Sequence, residues 1–174
     1  QTIGVTINDL FVVRSYSPMD TIASGIVLDI DFINNKEFID QCPKEILERL
    51  RFMISNFAHY PKTLDEWSKK YFISDNEMKE NLKLLDAKIT LNEALVYFDK
   101  DLLHWKKQIL SYIKEKCSID SFHNYVEVNN IVQSFRISDK WAKLILDNLV
   151  NSNDIFLKSG KILLVNRSFN ISNK

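Results

Sequence analysis

Arg136, Ser138, Lys140 and Lys143 fall within eight consecutive positions, and Lys158 and Lys161 bracket a Ser159-Gly160 pair shortly downstream. These six side chains carry the chemistry that the sequence offers. Cations placed beside the free N–H groups at a helix start suit phosphate oxygens, which makes the set a candidate for reversible binding of a polyanion. The same lysines would also serve to keep an exposed helix face in water, and charge alone does not separate the two readings. Trp141 lies among them and invites base stacking. Its place beside Ala142 in an apolar run favours the core instead, and Trp67 is read as core as well.

Other chemistry finds little support. No Gly-x-x-x-x-Gly-Lys-Ser/Thr loop is present in a chain with three glycines, so no nucleotide site is expected. His59, His104 and His123 are scattered, with no Glu or Cys at ligand spacing, and no metal is expected. Cys42 and Cys117 are isolated and read as buried or idle thiols in a reducing compartment. Asp29 and Asp31 share a face of an expected strand, where a solvated edge accounts for them without catalysis. The chain is therefore not expected to be an enzyme. No run approaches the roughly 18 apolar residues of a membrane span, so a soluble protein is expected. It begins with Gln rather than Met, and we read it as part of something longer.

The formal net charge of zero conceals an asymmetry. Residues 1–99 hold 11 basic against 16 acidic side chains, and residues 100–174 hold 12 against 7. A polyanion should prefer the second half.

The elements that must position the six residues are repeated. Phe135-Arg136-Ile137-Ser138-Asp139 has a near copy, 64 positions earlier, in Tyr71-Phe72-Ile73-Ser74-Asp75. The same offset pairs Leu64 with Val128, Trp67 with Ile131, Met78 with Ala142, Leu82 with Leu146 and Leu85 with Leu149, all at helical spacing. In each copy a Ser stands where its hydroxyl can cap the second helix, with an Asp at the first helical position to suit the dipole. Short β-rich runs follow: 88–91 and 94–98 around Asn92-Glu93, then 155–157 and 161–165 around Ser159-Gly160. Gly160 can supply the positive φ of a hairpin loop. A longer helix precedes each unit, at about 43–57 and about 101–116, the latter carrying Trp105 with Leu102, Ile109, Ile113 and Tyr112 as a lock between modules. The fold class is mainly α with small β hairpins (α+β): two tandem winged-helix modules. Asp75, Glu77, Glu80 and Asp86 give the first module an acidic surface, suited to a spacer or to a protein- or ribosome-facing role.

Residues 1–33 depart from the helical repeat. Ile7 to Tyr16 and Ile26 to Phe32 alternate and are β-rich, with Ser17-Pro18-Met19-Asp20 as a turn and Ser24-Gly25 as a bulge or close backbone approach. The expected organisation is two strands over 1–33, a linker over 34–41, a first winged helix over 42–99 and a second over 100–174.

Asp9-x-Phe11-Val12-Val13-Arg14-x-Tyr16-Ser17-Pro18-x-x-Thr21-Ile22-Ala23-Ser24-Gly25-x-Val27-Leu28-Asp29 resembles the closing strands of the third, β-barrel domain in the bacterial selenocysteine-specific elongation factor (SelB) family. Ala23-Ser24 stands where the family has glycines. Winged-helix modules follow that barrel in the family. Ser138-Asp139-Lys140-Trp141-Ala142, Ile145-Leu146-Asp147-x-Leu149 and Lys158-Ser159-Gly160-Lys161 are similar to the family's last module, with Asp139 in place of its Arg.

The resemblance implies the C-terminal part of a cytoplasmic, monomeric translation factor whose winged modules hold an mRNA hairpin, the selenocysteine insertion element. Selenocysteyl-tRNA, the ribosome, GTP and magnesium would belong to the parent, with no cofactor in this chain. On this implication Arg136, Ser138, Lys140, Lys143, Lys158 and Lys161 are the RNA-binding residues. A DNA-binding winged-helix regulator and a protein-interaction winged helix are the rival readings.

Overall fold

The computed structural model describes residues 4–30, 36–91, 94–119 and 125–165. Asp31, the start of the expected linker, Asn92-Glu93 and His123 lie outside them. The chain divides into two compact units, 1–57 with 62–96, and 58–61 with 97–174.

The first unit opens with β1 (Leu10–Arg14) and β2 (Thr21–Ile26), an antiparallel hairpin in which Leu10 faces Ile26 and Phe11 faces Gly25. The second strand thus ends where the alternating run was expected to begin. The turn decides this: Ser15 N–H donates to the Asp20 carbonyl at 2.8 Å and Asp20 N–H to Ser15 Oγ at 3.0 Å, fixing the register from the loop side. At Gly25 a Cβ would stand 2.4 Å from the Phe11 ring, the close approach expected of that glycine. Leu10, Val12 and Ile22 are exposed although apolar.

Residues beyond β2 turn inward. Asp29, expected at a solvated edge, has its side chain buried, and its carboxylate accepts from Lys70 Nζ at 2.7 Å. The stretch read as a linker contains a helix, α1 (Lys36–Gln41).

Helix α2 (Ile46–Asn56) buries Leu50, Met53 and Ile54 on one stripe, and with them Arg49. Arg49 Nη2 donates to Asn8 Oδ1 and to the Lys44 carbonyl, so a side chain from the strand region partners one nitrogen of a buried guanidinium, while Nε and Nη1 find no acceptor among the described residues. Helix α3 (Leu64–Tyr71) starts in a capping box, Thr63 Oγ1 accepting from Glu66 N–H and Glu66 Oε2 from Thr63 N–H at 2.6 Å. It ends at Phe72 in the left-handed region, and Ser74 caps α4 (Asp75–Leu84) by accepting from Glu77 N–H at 3.2 Å. The strands β3 (Lys88–Ile89) and β4 (Val96–Tyr97) form the first wing.

The second unit repeats the plan. Helix α5 (Asp99–Ile119) sends Leu102, Trp105, Ile109 and Ile113 into the core. Helices α6 (Val128–Phe135) and α7 (Asp139–Asn151) join through Arg136, again left-handed, with Ser138 Oγ accepting from Trp141 N–H at 3.2 Å. The wing is three-stranded, in the order β5 (Val126–Glu127), β7 (Lys161–Leu164), β6 (Ile155–Lys158). Trp105 packs inside this unit, edge-on to Phe135 at 6.0 Å and to His59 at 4.9 Å.

At four of the five paired positions of the repeat both residues are buried, and Leu64 is buried where Val128 is half-buried. Trp67, Met78, Leu82, Ile131, Ala142 and Leu146 are each 1% exposed or less. The architecture is mainly helical with small antiparallel hairpins, in two winged-helix modules.

Candidate nucleic-acid interface

The turn between α6 and α7 is built by local rules. Ile137, buried, anchors it to the core and donates its N–H to the Val132 carbonyl at 3.3 Å, while Arg136 takes φ 49° and stays exposed. Ser138 is half-buried, because its hydroxyl serves the cap and its N–H donates to the His59 carbonyl at 3.3 Å. Ser138 therefore acts as a structural cap. Lys140 and Lys143 follow three residues apart on the face of α7 opposite Ala142, Ile145 and Leu149, and both are exposed.

Lys158 and Lys161 are brought together as a cross-strand pair on β6 and β7. The loop joining them has Ser159 at φ 50° and Gly160 at φ 74°, two successive left-handed residues that let the strands turn in two positions. Like charges directly opposite one another destabilise a ladder. Lys161 offsets this by lying 4.1 Å above the centre of the Tyr125 ring. Beside the loop, a groove of about 280 Å³ is lined by Glu127, Val128, Asn129, Ser159, Gly160 and Lys161.

Two groups of cations thus stand on the turn with its following helix and on the wing of one module. Tyr125 and the groove escaped the sequence reading, since β5 is two residues long and shows no alternation. Trp141, weighed for stacking, is fully buried against Tyr97 at 5.4 Å and cannot meet a base.

The first module has different chemistry at the matching positions. Phe72 replaces Arg136 and is 80% exposed, and Asn76 replaces Lys140, while Lys79 matches Lys143. Glu80 holds Lys83 at 2.7 Å and Asp86 holds Lys88 at 3.0 Å. His59 and His104 both meet the Trp105 ring, and no group of metal-ligating side chains occurs among the described residues. No helix among them is long and apolar enough to cross a membrane.

The fold and this face define a tandem winged-helix protein. Among solved structures it is similar to bacterial selenocysteine-specific elongation factor EF-Sec, with a TM-score of 0.70 and 18% identity over 94% of this chain and 26% of that one. The chain thus spans about a quarter of that protein. A second similar structure is the mRNA-binding domain of elongation factor SelB from E. coli in complex with SECIS RNA, with a TM-score of 0.48 and 11% identity over 70% of this chain and 98% of that one. No family model and no curated protein matches the chain.

Proposed function

We propose that this chain is the mRNA-hairpin-binding region of a selenocysteine-specific translation elongation factor, acting in the cytoplasm. The observation that carries the reading is an order: the translation-factor strand pattern at residues 9–29 is followed directly by two winged modules, and the fold likeness to EF-Sec runs through 94% of the chain. The hairpin β1–β2 belongs on this reading to the factor's β-barrel, residues 42–99 serve as a spacer, and residues 100–174 hold the RNA. The parent supplies the GTPase and carries selenocysteyl-tRNA.

The contribution of this piece is tethering and requires no bond chemistry. Holding hairpin and factor together makes delivery of the tRNA effectively intramolecular, at local concentrations of about millimolar for short linkages. Arg136, Lys140 and Lys143 meet phosphates along the helix start, Ser138 holds that start in shape, and Lys158 and Lys161 reach the backbone from the wing. Sequence is read in the hairpin loop and in unpaired bases, because an A-form duplex hides its base edges.

The test is a titration of the chain against a selenocysteine-insertion hairpin, a loop-scrambled hairpin and a DNA duplex at two salt concentrations, with Lys140→Ala and Lys158→Ala alongside. Neutralising about 3 to 5 phosphates gives a slope of log K against log salt of roughly −2 to −4. Preference for the intact loop, weakened in both variants, supports the reading. Equal weak binding to all three nucleic acids overturns it and leaves a protein-interaction module.

A further inference from the structure

The outer face of α5 carries Lys100, Lys107 and Lys114, one every seven residues and all exposed. At 100° per residue these three lie within a stripe about 40° wide, diametrically opposite Leu102, Trp105, Ile109 and Ile113, which fill the core. His104 and Ser111 complete the stripe. The helix meets α7 through its core side, so this face is turned away from Lys140 and Lys143. It is a separate surface.

A carboxylate one turn away stabilises an exposed helical lysine, and the first unit offers such pairs. Lys69 pairs with Asp65 at 2.7 Å, Lys83 with Glu80 at 2.7 Å, and Lys79 follows Asp75 by four positions. None of the three stripe lysines has an Asp or Glu at i±3 or i±4; their neighbours there are Val96, Tyr97, Leu103, His104, Leu110, Ser111, Cys117 and Ser118. Asp99 and Glu115 are exposed acidic residues about 80° to either side of the stripe, half-buried Asp101 offsets part of the Lys100 charge, and Lys100 Nζ lies 5.3 Å from the centre of the Phe98 ring. The stripe is a line of three like charges with no carboxylate one helical turn from any of them.

We infer that this face of α5 is a second phosphate-binding surface, taking the backbone of a duplex nucleic acid. Successive lysines are about 10.5 Å apart along the axis, spanning about 21 Å from Lys100 to Lys114. A duplex presents roughly one charge per 1.7 Å of its length, so a straight stem laid along α5 offers phosphates to all three without being reshaped. A single strand would first have to be ordered. A module with Lys140 and Lys143 on one side and this stripe on another can bridge two nucleic-acid segments. The stripe does not depend on the proposed function, since it needs no loop sequence and no residue of the turn or the wing.

The experiment uses the whole chain, the variant Lys100→Gln/Lys107→Gln/Lys114→Gln and the variant Lys140→Gln/Lys143→Gln. Each is titrated with a blunt RNA duplex and a blunt DNA duplex, free and after saturation with an insertion hairpin, across a salt series. In the stripe variant, the slope of log K against log salt for duplex becomes shallower by about 2 to 3, three phosphates at roughly 0.9 each. The turn-helix variant keeps that part of the slope, and the hairpin-saturated wild type takes up a second equivalent of duplex that the stripe variant does not. An unchanged slope in the stripe variant overturns the inference, even if hairpin preference is intact. Loss of hairpin preference alone overturns the proposed function and leaves the stripe standing. Binding of polyglutamate but not of either duplex, lost in the stripe variant, overturns the nucleic-acid assignment in favour of an acidic protein.

Discussion

Lys70 Nζ lies 2.7 Å from Asp29 Oδ1, and both side chains are more than nine-tenths buried. The pair joins the segment after β2 to the last turn of α3, so the strand region and the first winged helix share one buried ionic contact. Removing one charge from such a pair strands the other, at a cost of about 3–5 kcal/mol. Lys70→Met is expected to lose that much in urea denaturation of the first unit. The double variant Lys70→Met/Asp29→Asn, which buries no charge, is expected to recover a large part of the loss. A double variant as unstable as the single one would show that packing and not charge holds the junction.

Trp141 is a core residue, and its substitution is expected to act on stability. Trp141→Ala should cost about 3–5 kcal/mol in chemical denaturation. Its indole N–H has no hydrogen-bond partner among the described residues, so Trp141→Phe forfeits volume without a bond and is expected to be clearly milder. RNA affinity of the folded Phe variant should match that of the parent. A selective loss of affinity in a stable Phe variant would restore the stacking role.

The two serine caps should be worth about the same. Ser74→Ala and Ser138→Ala each remove an acceptor from a helix start, expected to cost about 1 kcal/mol. Thermal unfolding of the two variants is the check. Circular dichroism should show both helices still formed, because the apolar stripes of α4 and α7 carry most of their stability.

Arg136 and Phe72 occupy left-handed backbone, a conformation that costs a side-chain-bearing residue about 1–2 kcal/mol. Arg136→Gly is therefore expected to hold or raise stability by up to about 1 kcal/mol while lowering affinity for RNA. The opposed signs are the useful feature, since loss of binding would then not be a consequence of unfolding. A variant that both unfolds and fails to bind would contradict the assignment of Arg136 as an exposed phosphate contact.

Burial pushes the Cys42 thiol above its ordinary pKa, outweighing the Arg49 guanidinium nearby. The reactive species is the thiolate, so at about pH 8 the folded chain should react slowly with a thiol reagent at Cys42. Cys117, 1% exposed, should be equally protected by burial. Both should react rapidly in guanidinium chloride. Fast labelling of the native chain at Cys42 would mean that the packing around this thiol opens.

Much of the helical plan was legible because it rests on local signals. A serine before an apolar periodicity, and the same turn 64 residues on, specify caps and buried stripes without reference to the rest of the chain. The wing of the second module was legible through Gly160. What could not be read were the non-local decisions. Arg49 and Lys70 look like surface cations in sequence, and only the arrival of Asn8 and Asp29 makes their burial tolerable. The strand shift has the same origin: alternation marks residues 26–32 as β, but the turn at residues 15–20 and the demand for Asp29 beside Lys70 end the ladder at Ile26. Of the candidate site, the positions of the cations were apparent, while the role of Ser138 in holding His59 and the Tyr125 support beneath Lys161 depend on contacts that spacing does not encode.

The exposed hairpin β1–β2 bears on how this polypeptide behaves at the bench. Among the described residues no third strand joins these two, and Leu10, Val12, Ile22 and Tyr16 add apolar surface next to their edges. An uncovered hairpin of this kind is adhesive. Sedimentation over a concentration series is expected to show association that grows with concentration, in which case binding constants taken at high protein concentration would report the assembly.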